Sequence, residues 1–306
     1  MLEFAAKRLG LGVLVLLIIS VITFVLSHVA IDPAMGLAGD SATASDIEAI
    51  RQRYGFDRSL VVQYFDYLGR LVQGDLGQSY LSGRPVSEML AERFPATALL
   101  AILSIGFALA IAVPLGVVAA LKPNTLIDRA ALFLAVCGQA IPNFWAGLLL
   151  ILLFGVTLQW LPISGSTSFR HFILPAIALG SYAMPALMRL VRAGMVEVLR
   201  SDYIRTARAM GIRRRTILFK YGLRNAILPV ISLIAVQFGF MLGGSIVIES
   251  IFAINGIGYL AWQSMSRADM PVIQAIVLII SMIYVVLTLA ADLLNSLMDP
   301  RIRISR

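Results

Sequence analysis

The sequence predicts an all-α membrane protein. Six transmembrane helices are expected, with a small helical extracytoplasmic domain between the first and second and a cytoplasmic helix between the fourth and fifth. Three observations predict this. Only 14% of the 306 residues are charged and 59% are hydrophobic, whereas roughly 25% of the residues of a soluble protein are charged. The apolar residues gather into six long uncharged runs. The Lys and Arg residues then fall unevenly on the two sides that six crossings define.

The first run, Leu9–Ala30, follows Lys7 and Arg8 and ends in a small residue, as a signal peptide does. At about 22 residues it exceeds the usual 7–15-residue apolar core of such a peptide, so it reads as an uncleaved first helix. Residues 1–31 therefore form the tail and first span. Asp32–Arg93 follows with 9 acids and 6 bases, a net charge of −3. In "SDIEAIRQRYGF", Ser45 stands three residues before Glu48, a capping-box pattern, and Ile47, Ile50 and Tyr54 share a face. In "LVVQYFDYLGRLVQG", Val61, Tyr64, Phe65, Leu68, Leu71 and Val72 recur at helical spacing before a stop at Gly74. Residues 32–94 thus read as a helical extracytoplasmic domain. It either caps the bundle or offers a docking surface to a partner.

Residues 95–306 hold the other five runs: Ala96–Leu121, Ala130–Leu158, Phe172–Met188, Ala226–Ile248 and Met270–Ala291. The fourth of the six is short and contains Pro175 and Pro185, but the side parity requires it. Alternating sides put 17 Lys and Arg with the two termini, the second connection and the fourth, and 8 on the opposite side. Both termini are therefore expected in the cytoplasm.

The fourth connection, 189–224, is the densest basic region. Tyr203–Pro229 carries seven Lys or Arg and no acid. No aromatic residues interleave Arg213, Arg214 and Arg215 as a nucleic-acid platform would need, so no nucleic-acid partner is expected. Membrane lipid headgroups are one partner for such charge. Periodicity adds a protein docking helix, because Val196, Leu199, Tyr203, Ala207 and Met210 form a stripe spaced 3, 4, 4 and 3, with Arg205 and Arg208 off it. Gly211 ends this helix, and a second helical run from Thr216 returns to the membrane at Asn225.

Chemistry is sparse elsewhere. The single cysteine, Cys137, excludes a disulfide framework and reads as a small buried residue. No His, Cys, Asp or Glu residues have metal-ligand spacing, and His28 and His171 stand near helix ends. No nucleophile with a base and no intramembrane acid pair points to an enzyme, so no catalytic residue, metal site or cofactor is expected. Glu249 and Asp292 lie at helix ends. The uncharged polar groups Gln139, Asn143, Ser181, Tyr182, Gln237 and Ser245, together with Glu249, are the candidates for a translocation path, or else join helices. Gly239 and Gly243 form a G-x-x-x-G suited to close helix approach, and Pro142, Pro175 and Pro185 can bend helices. An ATP-independent carrier or channel should show an internal repeat, and none is visible.

The basic segment resembles the cytoplasmic coupling loop, the EAA motif, of permease subunits of bacterial ABC importers. Aligned on Gly211, the chain has Arg205-Thr206-Ala207 where the general pattern has Glu-Ala-Ala. "YIRTARAMG" and "LRNAILPV" resemble the dipeptide, oligopeptide and nickel branch. So do "GDLGQSY" with the following "RPVSEMLAERFPATALL", "QFGFMLGGSIVIESIF", "DMPVIQA" and the closing "DPRIR". The chain departs from that family at Ile31-Asp32-Pro33 and at Asn255, both on the outer side. The resemblance implies an inner-membrane permease that pairs with a second homologous permease. Two cytoplasmic ATP-binding subunits would drive the pair, and an extracytoplasmic solute-binding protein would supply it. The solute would be a short peptide or similar small molecule, with a nickel chelate as the alternative. Val196, Leu199, Tyr203, Arg205, Thr206, Ala207, Arg208, Met210 and Gly211 would then couple to the ATPase. Independently, the chain has no G-x-x-x-x-G-K-[ST] phosphate cradle.

Overall fold

A computed structural model describes residues 2–30, 32–38 and 42–298. Ile31, the "DPRIR" motif and the basic residues Arg301, Arg303 and Arg306 lie outside the described residues. Among the described residues the fold is helical, with a single isolated pairing of Gln78 with Pro85 and no strand.

Helix α1 (Leu2–Ala30) is followed by three short helices, α2 (Pro33–Ala38), α3 (Ala44–Tyr54) and α4 (Leu60–Val72). The capping box of α3 is formed by Thr43 and Asp46, which exchange side-chain and backbone hydrogen bonds, and not by Ser45 and Glu48. The helix begins two residues earlier than the spacing of Ser45 suggests, because Thr43 is the residue with extended backbone from which a side chain can reach the N3 amide. Neither α3 nor α4 contains a fully buried residue, so this segment builds no separate core. α4 instead leans on α1. The Tyr64 hydroxyl lies 2.8 Å from Ser20 Oγ, and the Tyr64 and Tyr67 rings pack on Phe24 with centroids 5.3 and 5.7 Å away.

The main body is built on α5 (Val86–Leu121) and α8 (Arg170–Arg200), which run along each other. The run read from sequence as short, Phe172–Met188, lies within this 31-residue α8, the most enclosed of the long apolar helices. Pro175 and Pro185 sit inside it and are buried, and the helix continues through both. Close approach of the pair requires Gly180, where a Cβ would stand 2.4 Å from the Ser104 carbonyl oxygen of α5. Leu100, Ala108 and Ala112 of α5 and Leu187, Met188 and Val191 of α8 then form one buried cluster. Met241 and Ile248 of α12 (Leu228–Ile251) join the same cluster.

The run Ala130–Leu158 is not one straight helix. It divides into α6 (Leu126–Ala140) and α7 (Asn143–Leu150), which continues as π-helical turns over Ile151–Thr157. The two parts are bent by 93° at Ile141-Pro142, since proline pushes its predecessor out of the helical region and donates no amide hydrogen. The return from the basic segment is likewise broken. It runs through α10 (Arg214–Thr216), π-helical turns over Ile217–Leu223 and α11 (Arg224–Ala226) before α12 begins. A short α13 (Ile257–Ser266) and the long α14 (Met270–Met298) complete the described residues. Among the described residues, five helices are long and apolar enough to cross a membrane, and the bent α6–α7 pair makes a sixth if counted as one span.

Asp269 and Asp128 each tie distant segments together. Asp269, between α13 and α14, accepts hydrogen bonds from Ser79 Oγ (2.5 Å) and the Tyr80 amide (3.0 Å). Asp128 at the start of α6 takes Arg192 of α8 in a two-pronged pair at 2.5 and 2.6 Å and accepts the Asn124 amide.

Candidate translocation cavity and docking helix

The polar residues singled out in the apolar helices divide into two groups. Gln139, Asn143, Tyr182 and Gln237 converge on one cavity of about 750 Å³. The break between α6 and α7 supplies the first two, α8 supplies Tyr182, and α12 supplies Gln237. Among the described residues, no charged side chain lines the cavity. Arg189 stands outside the lining and donates to Gln139 Oε1 at 3.2 Å. The wall is incomplete on one side, since Tyr182 is 50% exposed and Phe240 64% exposed.

Ser181, Ser245 and Glu249 do not line this cavity. Ser181 donates to the Ala178 carbonyl of its own helix (2.8 Å) and Ser245 to Leu242 (3.0 Å). Glu249 is fully buried. Its carboxylate accepts from Thr97 Oγ1 (2.7 Å) and from the Tyr259 amide in the first turn of α13 (2.9 Å). Thr97 in turn accepts the Ile257 amide at 2.8 Å. A buried carboxylate at the positive end of a helix, met by donors from two elements, satisfies the amides that the helix leaves unpaired. Glu249 therefore joins α5, α12 and α13. The pair Gly239 and Gly243 also divides. Gly239 is pressed by the Tyr284 ring, which a Cβ would overlap, whereas Gly243 borders the open cavity. Sequence reasoning missed Ser281 and Tyr284 of α14, which line the cavity. Their signal is a polar pair three residues apart in the uncharged stretch of α14 between Gln274 and Thr288.

The basic segment holds α9 (Asp202–Ala209). Its stripe is not continuous with α8, because Ser201 adopts extended backbone (φ −68, ψ 156) and resets the phase. Ala207 is buried at 6% exposure and Ile204, which the spacing argument missed, is fully buried; with Ile217 they form a small core of the loop itself. Ala207 therefore presses inward. The outward face carries Tyr203 (44% exposed), Thr206 and Met210 (73% exposed). The Tyr203 hydroxyl accepts from Asn225 Nδ2 at 3.0 Å, joining "YIRTARAMG" to "LRNAILPV". Arg205 pairs with Asp202 at 3.1 Å on the solvent side, and Arg208 points to the Leu199 carbonyl at 3.5 Å. Val196 and Leu199 lie on α8 and line a second cavity of about 560 Å³, together with Arg200, Arg208 and Arg214. Gly211 turns the chain at φ +71, and a Cβ there would meet nothing within 4 Å; its backbone angle, and not crowding, requires glycine.

Residues 112–304 match the family described as "Binding-protein-dependent transport system inner membrane component", and residues 1–101 match the N-terminal family of the same systems. The chain is 42% identical over 305 residues to the glutathione transport system permease protein GsiC of Escherichia coli strain K12, covering 99% of each chain. The same figures hold for GsiC of Salmonella typhi. Among solved structures, an inward-facing MetNI methionine ABC transporter chain matches with a TM-score of 0.57 at 19% identity, over 70% of this chain and 97% of that one. A second crystal form of the same transporter matches with a TM-score of 0.58 at 18% identity, over 69% and 96%.

Proposed function

This chain belongs to the binding-protein-dependent transport system inner-membrane components, and on that premise we propose that it forms half of the path for a short peptide of glutathione's size and character. It is a multi-pass inner-membrane permease subunit of an ATP-driven importer, a transport component and not an enzyme. The hydrolysis of ATP belongs to partner subunits. The solute class is supported by the GsiC relatives, which are glutathione transport permeases.

One observation carries the assignment of the path. The cavity at the α6–α7 break has a mainly apolar wall into which the amides of Gln139, Asn143 and Gln237 and the hydroxyls of Tyr182, Ser281 and Tyr284 are set, with no fixed charge among its described lining residues, and the wall is open on one side. Carboxamides and hydroxyls can exchange hydrogen bonds with a peptide backbone without holding it by charge, so the solute can leave. A second homologous permease would close the open side. The outward face of α9 (Tyr203, Thr206, Met210) would meet one of two cytoplasmic ATP-binding subunits, and Val196, Leu199 and the inward Ala207 would support it from behind. An extracytoplasmic binding protein would deliver the solute on the side of residues 32–94. The arginines beyond α9 would meet anionic lipid. The 17 to 8 division of Lys and Arg supports cytoplasmic termini.

Uptake of labelled glutathione and of a labelled dipeptide in a strain lacking the gene, with and without a plasmid copy, tests the solute class. Uptake of at least one should fall on deletion and return with the plasmid. If neither falls, the solute assignment is wrong.

A further inference from the structure

The depth of α4 is fixed by what it touches. Its Tyr64 meets Ser20, its Tyr64 and Tyr67 rings pack on Phe24, and Gln63 Oε1 lies 3.1 Å from His28 Nε2. These partners belong to the last turns of the apolar stretch Ala6–His28 of α1. Ser20 stands eight residues before His28, or about 12 Å along a helix that rises 1.5 Å per residue. A helix whose side chains reach that far down a spanning segment lies at the boundary of the bilayer and not clear of it.

The face of α4 turned away from α1 is apolar and uncovered. Val61, Phe65 and Val72 are 64%, 66% and 84% exposed, and Leu68 completes a ridge spaced 4, 3 and 4. Asp66 and Arg70 occupy a different face, and Arg58 pairs with Asp66 at 3.5 Å. The adjoining turns of α1 leave Val21, Ile22, Val25 and Leu26 exposed as well. A ridge of this composition, carried at this depth and beside lipid-facing side chains, has the acyl–headgroup boundary as its complement. We propose that α4 is an interfacial helix, with the Val61–Phe65–Leu68–Val72 ridge set into one leaflet and Asp66 and Arg70 toward water. The segment between α1 and α5 is then held to the membrane surface and not displayed as a free domain.

The complete transporter, reconstituted in phospholipid vesicles, tests this with nitroxide labels on single cysteines in a Cys137→Ala background. Val61→Cys, Phe65→Cys and Val72→Cys report the ridge, and Asp66→Cys and Arg70→Cys the other face. The ridge positions are expected to collide several-fold more with oxygen, which concentrates in lipid, than with a water-soluble nickel reagent, and Asp66 and Arg70 to show the reverse. Ridge labels as open to the nickel reagent as Asp66 would overturn the proposal by placing the helix in water. Ridge labels shielded from both reagents would overturn it by showing a protein cover, whether the binding protein or a second permease. All three ridge side chains are exposed, so their replacement removes no internal packing.

Discussion

Glu249 shows how a residue's role depends on a partner far away in the chain. From sequence it is an acid near a helix end and a candidate for the path. In the fold, Thr97 comes to it from 152 positions away and the first turn of α13 supplies an amide. Neither fact has a local signature, so burial of the carboxylate was not legible. The threonine hydroxyl donates to Glu249 and accepts from Ile257, so Thr97→Val removes two hydrogen bonds and leaves a buried amide unpaired. At about 1 kcal/mol for each, the change should cost about 2 kcal/mol and lower the thermal midpoint of the detergent-purified protein by several degrees. Thr97→Ser should restore it. Because the group is structural, uptake per folded molecule should be unchanged in Thr97→Val; a loss of uptake at full stability would return Glu249 to the path. The anchoring of Ser79 and Tyr80 by Asp269 was half legible. "GDLGQSY" and "DMPVIQA" were both singled out, but only the fold brings them together.

At the scale of elements, long apolar runs were read well and breaks were read poorly. Hydropathy is a sum over a window, and it survives a proline or a shift of helical phase. Pro142 was legible as a residue that can bend a helix, but the size of the 93° bend and the meeting of Gln139 and Asn143 in the cavity were not. The docking stripe is likewise interrupted between α8 and α9. Spacings of 3 and 4 continue through Ser201 on paper, while the extended backbone there rotates α9 relative to α8. This changes which substitution probes docking. Ala207→Asp would place a charge in the small core of Ile204 and Ile217 and disturb the loop itself. Met210→Glu alters an exposed side chain and should leave insertion and thermal stability intact. It should reduce co-purification of the ATP-binding subunits and lower ATP-driven uptake by about tenfold, the equivalent of about 1.4 kcal/mol at the contact. Co-purification and uptake equal to the wild type would remove α9's outward face from the docking surface.

At the scale of the molecule, composition alone announced a helical membrane protein, and charge asymmetry proposed which side is which. Cysteine labelling in a Cys137→Ala background checks the orientation. Asp57→Cys, exposed beyond α3, should react with an impermeant maleimide in cells whose outer barrier is permeabilised. Lys122→Cys, exposed after α5, should react only after lysis. The reverse pattern would invert the topology. The cavity was not legible as a whole, since its wall comes from α1, the α6–α7 break, α8, α12 and α14. The polar residues were visible one by one, but nothing in the spacing of Gln139, Tyr182 and Gln237 states that they face one another.

Blocking that cavity from within tests its role as the path most directly. Gly244 borders it, and a Cβ there meets nothing within 4 Å, so Gly244→Trp can project an indole into open space without displacing the helix. The complete transporter carrying this change, reconstituted in proteoliposomes with ATP available to its ATP-binding subunits, should retain assembly and ATP hydrolysis while uptake of labelled peptide falls at least tenfold, an added barrier of about 1.4 kcal/mol or more. Uptake at the wild-type rate with the indole in place would show that the solute passes elsewhere.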